Sequence, residues 1–337
     1  MSSTAQAEVL DKGAIVATVE RGAIPVRCVL PGRATLGVSV VRYLTDCLVL
    51  FKVKIVAMVV LTSWGGAYLG ALQSGGSTLR HGMLNGILGI GLISAGAGAL
   101  NEVIEYRSDR LMRRTANRPV ATGRIARLHG LLAGLIVLTL GVAWLLLRSN
   151  LLTMALSLLS AFIYVAVYTP VKRLTVLSTA VGALPGAMGP LLGWTATGGR
   201  LEWSALALFA ILYVWQFPHF MSIAWLYRED YARAGFRMLP VVEPDGASTA
   251  AVALGFALLM FPVSQIPWML GMTSSLYGLS AFALSLFYLF STIQFLRIVN
   301  ETSDKENRAL ARNLLRTSVV FLPILFSALM MCGKGRS

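Results

Sequence analysis

Asn101, Glu105 and Asp109 stand four residues apart. On a helix that interval stacks their side chains on one face. Two carboxylates and an amide oxygen make a set of hard oxygen ligands. Such a set suits Mg²⁺, which binds through a few carboxylates and fills its shell with water and phosphate oxygens. Arg110, Arg114 and Arg118 repeat the interval on an adjoining face, and a guanidinium presents a planar fork of donors that matches phosphate. A helix end carrying both sets is equipped to hold a diphosphate through bridging metal. Pro119 marks the predicted end of that helix. Ordinary juxtamembrane ion pairs share the same spacing. The position at the end of an apolar run, where ionisable groups usually face a cavity or a partner, favours a site.

Two further segments carry chemistry. Tyr168-Thr-Pro-Val-Lys172-Arg173 lies in a short loop after another apolar run. Lys172 and Arg173 either grip the same anion or serve only to orient the chain in a membrane. Trp215-Gln-Phe-Pro-His219-Phe220 sits inside an apolar run. His219 there either bonds a backbone carbonyl or offers a neutral imidazole to haem iron. Beyond it come Arg228, Glu229, Asp230 and Tyr231. These acids hold a second metal, position Arg228, or simply face water.

The elements that must position these residues are apolar helices. Of 337 residues 56% are hydrophobic and 13% charged, against about 25% charged in a soluble chain. Nine segments are long enough to cross a bilayer, at roughly 55–73, 81–101, 128–147, 150–169, 175–197, 203–226, 248–269, 274–296 and 313–332. Runs such as Gly89-Ile-Gly91 and Ala95-Gly-Ala-Gly98 predict close helix packing. Loops on one side of this arrangement hold sixteen Lys and Arg, and loops on the other hold only Arg80, Arg148 and Arg200. The bias predicts a cytoplasmic N-terminus and an outer C-terminus, with Lys334 and Arg336 as the one mismatch. Part of the net charge of +14 is therefore topogenic, and scattered short basic loops argue against nucleic acid. Residues 1–50 read as a cytoplasmic, partly disordered extension without a cleavable signal or transit pattern, and 51–333 as the membrane domain. Cys28, Cys47 and Cys332 share no metal-ligand or disulfide spacing.

The segments Asn101–Pro119, Tyr168–Arg173, Trp215–Phe220 and Asp230–Pro240 resemble, in order, those of the UbiA superfamily of intramembrane prenyltransferases, and within it the haem-farnesylating branch. The resemblance covers nearly all of residues 50–330. It implies an all-α bundle of nine transmembrane helices around a central cavity capped by cytoplasmic loops. It implies Mg²⁺, with farnesyl diphosphate and haem B as substrates and haem O, for haem-copper oxidases, as product. Asn101, Glu105 and Asp109 would carry the metal. Arg114, Arg118 and Lys172 would act in catalysis, and Arg110, Tyr168, Arg173, Trp215, His219, Arg228, Asp230 and Tyr231 in substrate binding. The vinyl group would attack an allylic cation shielded by Tyr164, Tyr168, Trp215 and Phe217, and water would quench the product cation.

The sequence departs from the superfamily at two places. Ala234 follows Asp230 where quinone-type members have a second acid, which puts a second metal site in doubt. Lys52-Val-Lys54 stands where the family usually has Lys-Pro-Arg. An aromatic or chlorin acceptor, an anion transporter and a haem-delivery protein are the rival expectations. Charges gathered at one face, not at the midplane, count against a transporter. A bacterial inner membrane and a downstream haem-oxidising enzyme complete the expected setting.

Overall fold

A computed structural model describes residues 6–10, 14–19, 26–30, 33–75, 81–198, 200–300 and 303–335. Arg80 and Arg336, both used in the orientation argument, lie outside the described residues. The chain divides into two units, residues 1–49 and 50–337. The first holds β1 (Gln6–Leu10), β2 (Ala14–Val19) and β3 (Val26–Leu30), an antiparallel sheet in the order β1-β2-β3. Helix α1 (Arg33–Leu50) follows. Residues 1–5, 11–13, 20–25 and 31–32, within the stretch expected to be partly disordered, lie outside the described residues. Cys47 and Cys332 are free thiols.

The second unit is all-helical among its described residues. Its long helices are α2 (Val53–Gln73) and α3 (His81–Asp109), then, after the short α4 (Pro119–Thr122), α5 (Arg127–Arg148) and α6 (Leu151–Phe162). Helix α6 continues through a π-helical turn, Ile163–Tyr168, into α7 (Thr169–Val171). Next come α8 (Ser178–Gly198), α9 (Trp203–Leu226), the short α10 (Arg228–Arg233) and α11 (Leu239–Val242). The last three are α12 (Ala247–Met269), α13 (Ser275–Phe295) and α14 (Asp304–Met331).

Among the described residues eight helical stretches are long and apolar enough to span a bilayer. The ninth expected span is α8, which has the length but carries five Gly, two Pro and four Ser or Thr. Its lower apolarity has a physical reason. The outer α5 has mean hydropathy 2.5 with 22% of its span buried, whereas the inner α9 has 1.5 with 61% buried. A helix surrounded by protein need not be dressed for lipid. Helix α8 follows the same trend, with Leu191, Leu192, Trp194 and Thr195 all buried.

Small residues set the spacing of the helices. A Cβ on Gly66 would lie 1.9 Å from the Pro190 carbonyl oxygen, and one on Gly193 would lie 1.8 Å from that of Ser63, so α2 and α8 touch backbone to backbone. A Cβ on Gly96 would sit 2.7 Å from the Gly134 oxygen, which joins α3 to α5 in the same way. The main core gathers Trp215, Trp225, Tyr277, Tyr288 and Phe321 from α9, α13 and α14. Its buried phenols are satisfied: Tyr288 donates to the Trp215 carbonyl at 3.0 Å and Tyr277 to the Ser264 carbonyl at 2.8 Å. Leucines such as Leu147, 80% exposed, form the outer belt.

Alternation of the long helices brings one set of termini together. The ends of α3, α7 and α9 and the starts of α2, α12 and α14 share one face of the bundle. At the opposite face the chain end is tied down, with Ser274 N–H donating to the Cys332 carbonyl at 2.9 Å and Lys334 N–H to that of Met272 at 2.8 Å.

Candidate active site

Asn101, Glu105 and Asp109 line the last two turns of α3, only 1%, 6% and 0% exposed. Each meets a cation from a different part of the chain. Lys52 Nζ donates to Asn101 Oδ1 and, at 3.0 Å, to the Tyr164 hydroxyl. Lys172 Nζ forms an ion pair with Glu105. That ammonium is not directed along a hydrogen bond to Glu105 Oε1, which has no other partner. Arg118 Nη1 bridges both Asp109 oxygens at 2.9 Å. Burial works against the Arg118 charge, but Asp109, reinforced by Glu102 and Glu105, holds its pKa above the ordinary value.

The structure corrects the arginine reading. Helix α3 stops at Asp109, and residues 110–118 form successive turns instead of a second helical face. Leu111 N–H bonds the Ser108 carbonyl, Met112 that of Asp109, Thr115 that of Met112 and Arg118 that of Thr115, all three residues back. On a continued helix Arg118 would lie about 13.5 Å along the axis from Asp109. The turns fold it back into contact. Met112 anchors the loop against Ala234, Phe236 and Met238. Pro119 therefore starts a helix, at the first position of α4, where its missing N–H is harmless. Arg110 leaves the acids and donates from Nε to the Ala121 carbonyl. The Arg114 guanidinium lies 5.0 Å from the Tyr227 ring.

Tyr168 lies on the π turn, not in a loop. A π turn inserts an extra residue and commonly marks a functional position. Here it lets Tyr164 reach Asn101, its hydroxyl 3.2 Å from Oδ1, while Thr169 Oγ1 accepts from Asn101 Nδ2 at 2.9 Å. Tyr168 stacks on Tyr164 with centroids 6.0 Å apart. Lys172 Nζ stands 4.8 Å from the Tyr168 ring and 4.8 Å from that of Phe236. Arg173 donates to the Ser108 hydroxyl.

The loop after α9 closes this end. Asp230 pairs with Arg233 and accepts from Arg114 N–H at 3.4 Å. Arg237 N–H donates to the Lys172 carbonyl at 2.9 Å. Burial pushes the Tyr231 phenol up, against the lowering pull of Arg114. Arg228 is not positioned by Asp230; it bonds Asp304 at 2.7 Å at the start of α14.

Trp215 and His219 sit elsewhere. His219 lies seven residues before the end of α9, about 10.5 Å from that end. Its Nδ1 is 2.8 Å from the Ser318 hydroxyl on α14, and its ring stacks on Trp215 at 4.9 Å. Trp215 Nε1 donates to the Ser318 carbonyl at 2.9 Å.

Three residues emerge that the spacing argument passed over. Lys52 is the cation of Asn101 and has a left-handed backbone, φ 49°. Its family position was noted, but a partner 49 residues away leaves no local signal. Glu102, fully buried, accepts from Val120 N–H at 3.2 Å and leaves Oε2 without a partner. It stands one position off the stripe of Asn101, Glu105 and Asp109, and a third carboxyl group beside Glu105 and Asp109 was its signal. Arg233, three residues from Asp230, was hidden by the same attention to i, i+4 pairs.

Among the described residues no three His, Cys, Asp or Glu side chains cluster to hold a metal alone. Two buried carboxylates and one amide oxygen still fit Mg²⁺, whose remaining positions belong to water and phosphate. The poorly directed Glu105 oxygen supports that fit.

Residues 58–326 match the model of the UbiA prenyltransferase family. The chain is 44% identical over 293 residues to protoheme IX farnesyltransferase of Koribacter versatilis, covering 87% of this chain and 94% of that relative. It is 36% identical over 283 residues to the mitochondrial protoheme IX farnesyltransferase of Arabidopsis thaliana, covering 84% of this chain and 63% of that one. Its fold is similar to a structure of a digeranylgeranylglyceryl phosphate synthase, at TM-score 0.69 and 16% identity over 86% and 98% of the two chains. It is also similar to a UbiA homolog from Archaeoglobus fulgidus bound to GPP and Mg²⁺, at TM-score 0.58 and 16% identity over 84% and 99%. A helical bundle with acids and bases paired at one end, matched along most of its length, leads to one assignment: this chain belongs to the UbiA prenyltransferase family.

Proposed function

We propose that this protein transfers the farnesyl group of farnesyl diphosphate to a vinyl group of haem B, with addition of water, giving haem O and diphosphate. The observation that carries the reading is the trio of paired groups, Lys52 with Asn101, Lys172 with Glu105 and Arg118 with Asp109, at one end of a bundle 44% identical to a protoheme IX farnesyltransferase.

The chemistry follows from those groups. The allylic C–O bond breaks, and its electron pair leaves with the diphosphate. Arg118 and Lys172 turn from their carboxylates toward the departing oxygens and stabilise the charge that develops there. Arg114 and Arg173, both exposed at the same end, reach the outer phosphate. Asn101, Glu105 and Asp109 are the residues that would hold Mg²⁺, which when bound supplies charge opposite the diphosphate. The stacked Tyr164 and Tyr168 rings offer π faces to the allylic cation. The vinyl π bond then forms the new C–C bond to the farnesyl carbon. Water adds to the resulting cation and releases one proton. His219 and Trp215, on α9 beside Ser318, are assigned to haem, and Tyr231, Asp230 and Arg228 to the cap over the substrates. Arg110, bonded to a backbone carbonyl, keeps a lesser place in the binding set.

We read residues 51–333 as the catalytic domain of a multi-pass protein of a bacterial inner membrane. Residues 1–50 and the site then face the cytoplasm, the C-terminus faces outward, and a haem-oxidising enzyme takes up the product. Purified protein with haem B, farnesyl diphosphate and Mg²⁺ is expected to yield a farnesylated, hydrated haem by mass spectrometry, and none after chelation. Prenylation of an aromatic acid in place of haem would keep the family chemistry and overturn the acceptor.

A further inference from the structure

Beside the acids, on the flank of α3, lies a cleft of about 620 Å³ lined by Arg107, Arg127 and Arg173. Tyr106 gathers two of these. Its hydroxyl accepts from Arg107 Nε at 2.9 Å and from Arg127 Nη1 at 3.3 Å, and its ring lies 4.2 Å from the Arg127 guanidinium. Arg173 donates to the Ser108 hydroxyl. All these partners are neutral. Among the described residues none of the three guanidiniums is in an ion pair, whereas Arg118, Lys172 and Arg233 each hold a carboxylate. Glu105, the one carboxylate on the cleft wall, is already taken by Lys172.

Arg107 and Arg127 thus meet at one phenol without a counter-ion, and Arg173 adds a third positive charge to the cleft wall. The cleft also has an apolar rim: Ile104 is 52% and Leu174 68% exposed. Ile104 lies five residues before the end of one apolar helix, and Leu174 three residues beyond the end of another. A ligand that satisfies both features has a phosphate head and a hydrocarbon tail lying in the adjacent leaflet. We propose that this cleft binds the headgroup of an anionic phospholipid, with its phosphate in the forks of Arg107 and Arg127 and an acyl chain along Ile104 and Leu174. Basic pockets between transmembrane helices are suited to such lipids, and arginine is suited to their phosphates. The inference does not depend on haem being the acceptor.

A soluble diphosphate shares the head chemistry, so the test separates the two. Purified protein in neutral detergent is offered phosphatidylglycerol, phosphatidylcholine or inorganic diphosphate, and bound species are counted by native mass spectrometry. Wild type is expected to hold one phosphatidylglycerol at collision energies that strip phosphatidylcholine. An Arg107→Gln/Arg127→Gln variant, its fold checked by thermal midpoint, is expected to lose that lipid at least tenfold. Arg124→Gln, an exposed arginine outside the cleft, is expected to keep it. Equal retention of the two lipids, no loss in the double variant, or equal loss in Arg124→Gln overturns the site. Displacement of phosphatidylglycerol by inorganic diphosphate overturns the lipid as its occupant.

Discussion

Removing one half of the Asp109–Arg118 pair strands the other half in a buried place. A single break of this kind costs about 3–5 kcal/mol. Asp109→Asn and Arg118→Gln should therefore each lower the thermal midpoint, and the double variant should recover part of the loss. A double-mutant cycle on unfolding measures the coupling, and additive effects would contradict the pair. Turnover should fall at least a hundredfold in all three. Because the Arg118 pKa is raised, its contribution to stability is complete below its unfolded pKa and fades only as pH passes the still higher folded value. No alkaline loss of stability from this group is expected between pH 7 and 10. Glu102 calls for a different contrast. Glu102→Gln keeps an acceptor for Val120 N–H and should remain within threefold of wild-type activity, while Glu102→Ala orphans that buried donor at about 1–3 kcal/mol. The shared face of Asn101, Glu105 and Asp109 was legible in the sequence because i, i+4 spacing is a local property. Lys52 and Tyr164 were not legible as its partners, because they reach Asn101 from 49 and 63 residues away.

At the scale of elements, most long helices were readable from apolar runs within a few residues, but α3 runs eight residues past its apolar run, α14 begins nine residues before its own, and the loop 110–118 was not readable. Spacing alone cannot tell a helix from a chain of turns bonded three residues back, and that difference decides where Arg118 points. Helix α8 shows a second limit, since its apolarity is set by neighbours that only the fold supplies. Close approach yields a sharp expectation. Gly193→Val forces α8 away from the Ser63 carbonyl and should cost about 1–3 kcal/mol or more. Leu147→Ala on the lipid face should stay within about 0.5 kcal/mol. Thermal midpoints in detergent compare the two, and equal effects would deny that α2 and α8 meet backbone to backbone.

At the scale of the whole molecule, every group assigned to the leaving diphosphate lies at one end of the bundle. Exposed bridges at that end, Arg228 to Asp304 and Arg308 to Asp304 and Glu229, fasten α14 to the α9–α10 corner. Such surface pairs contribute about 0–1 kcal/mol, so Arg308→Ala should barely move the midpoint. The proposed orientation makes Lys334→Cys, in a cysteine-free background, reactive to an impermeant maleimide in intact cells. Labelling only after lysis would reverse the topology.

The resting site is already largely neutralised, Asn101, Glu105 and Asp109 each meeting one cation of the chain. Loading it is therefore a double exchange, not the filling of a void. Metal alone would evict Lys172 and Arg118 into an apolar surround, and diphosphate alone would leave Glu105 and Asp109 stranded. Bound together, metal at Glu105 and Asp109 and diphosphate at Lys172 and Arg118 would leave every one of those four groups a partner of opposite charge. Each should raise the other's affinity by the same factor. Calorimetric titration of Mg²⁺ with and without a non-reactive prenyl diphosphate analogue would register that reciprocity as binding that neither achieves alone.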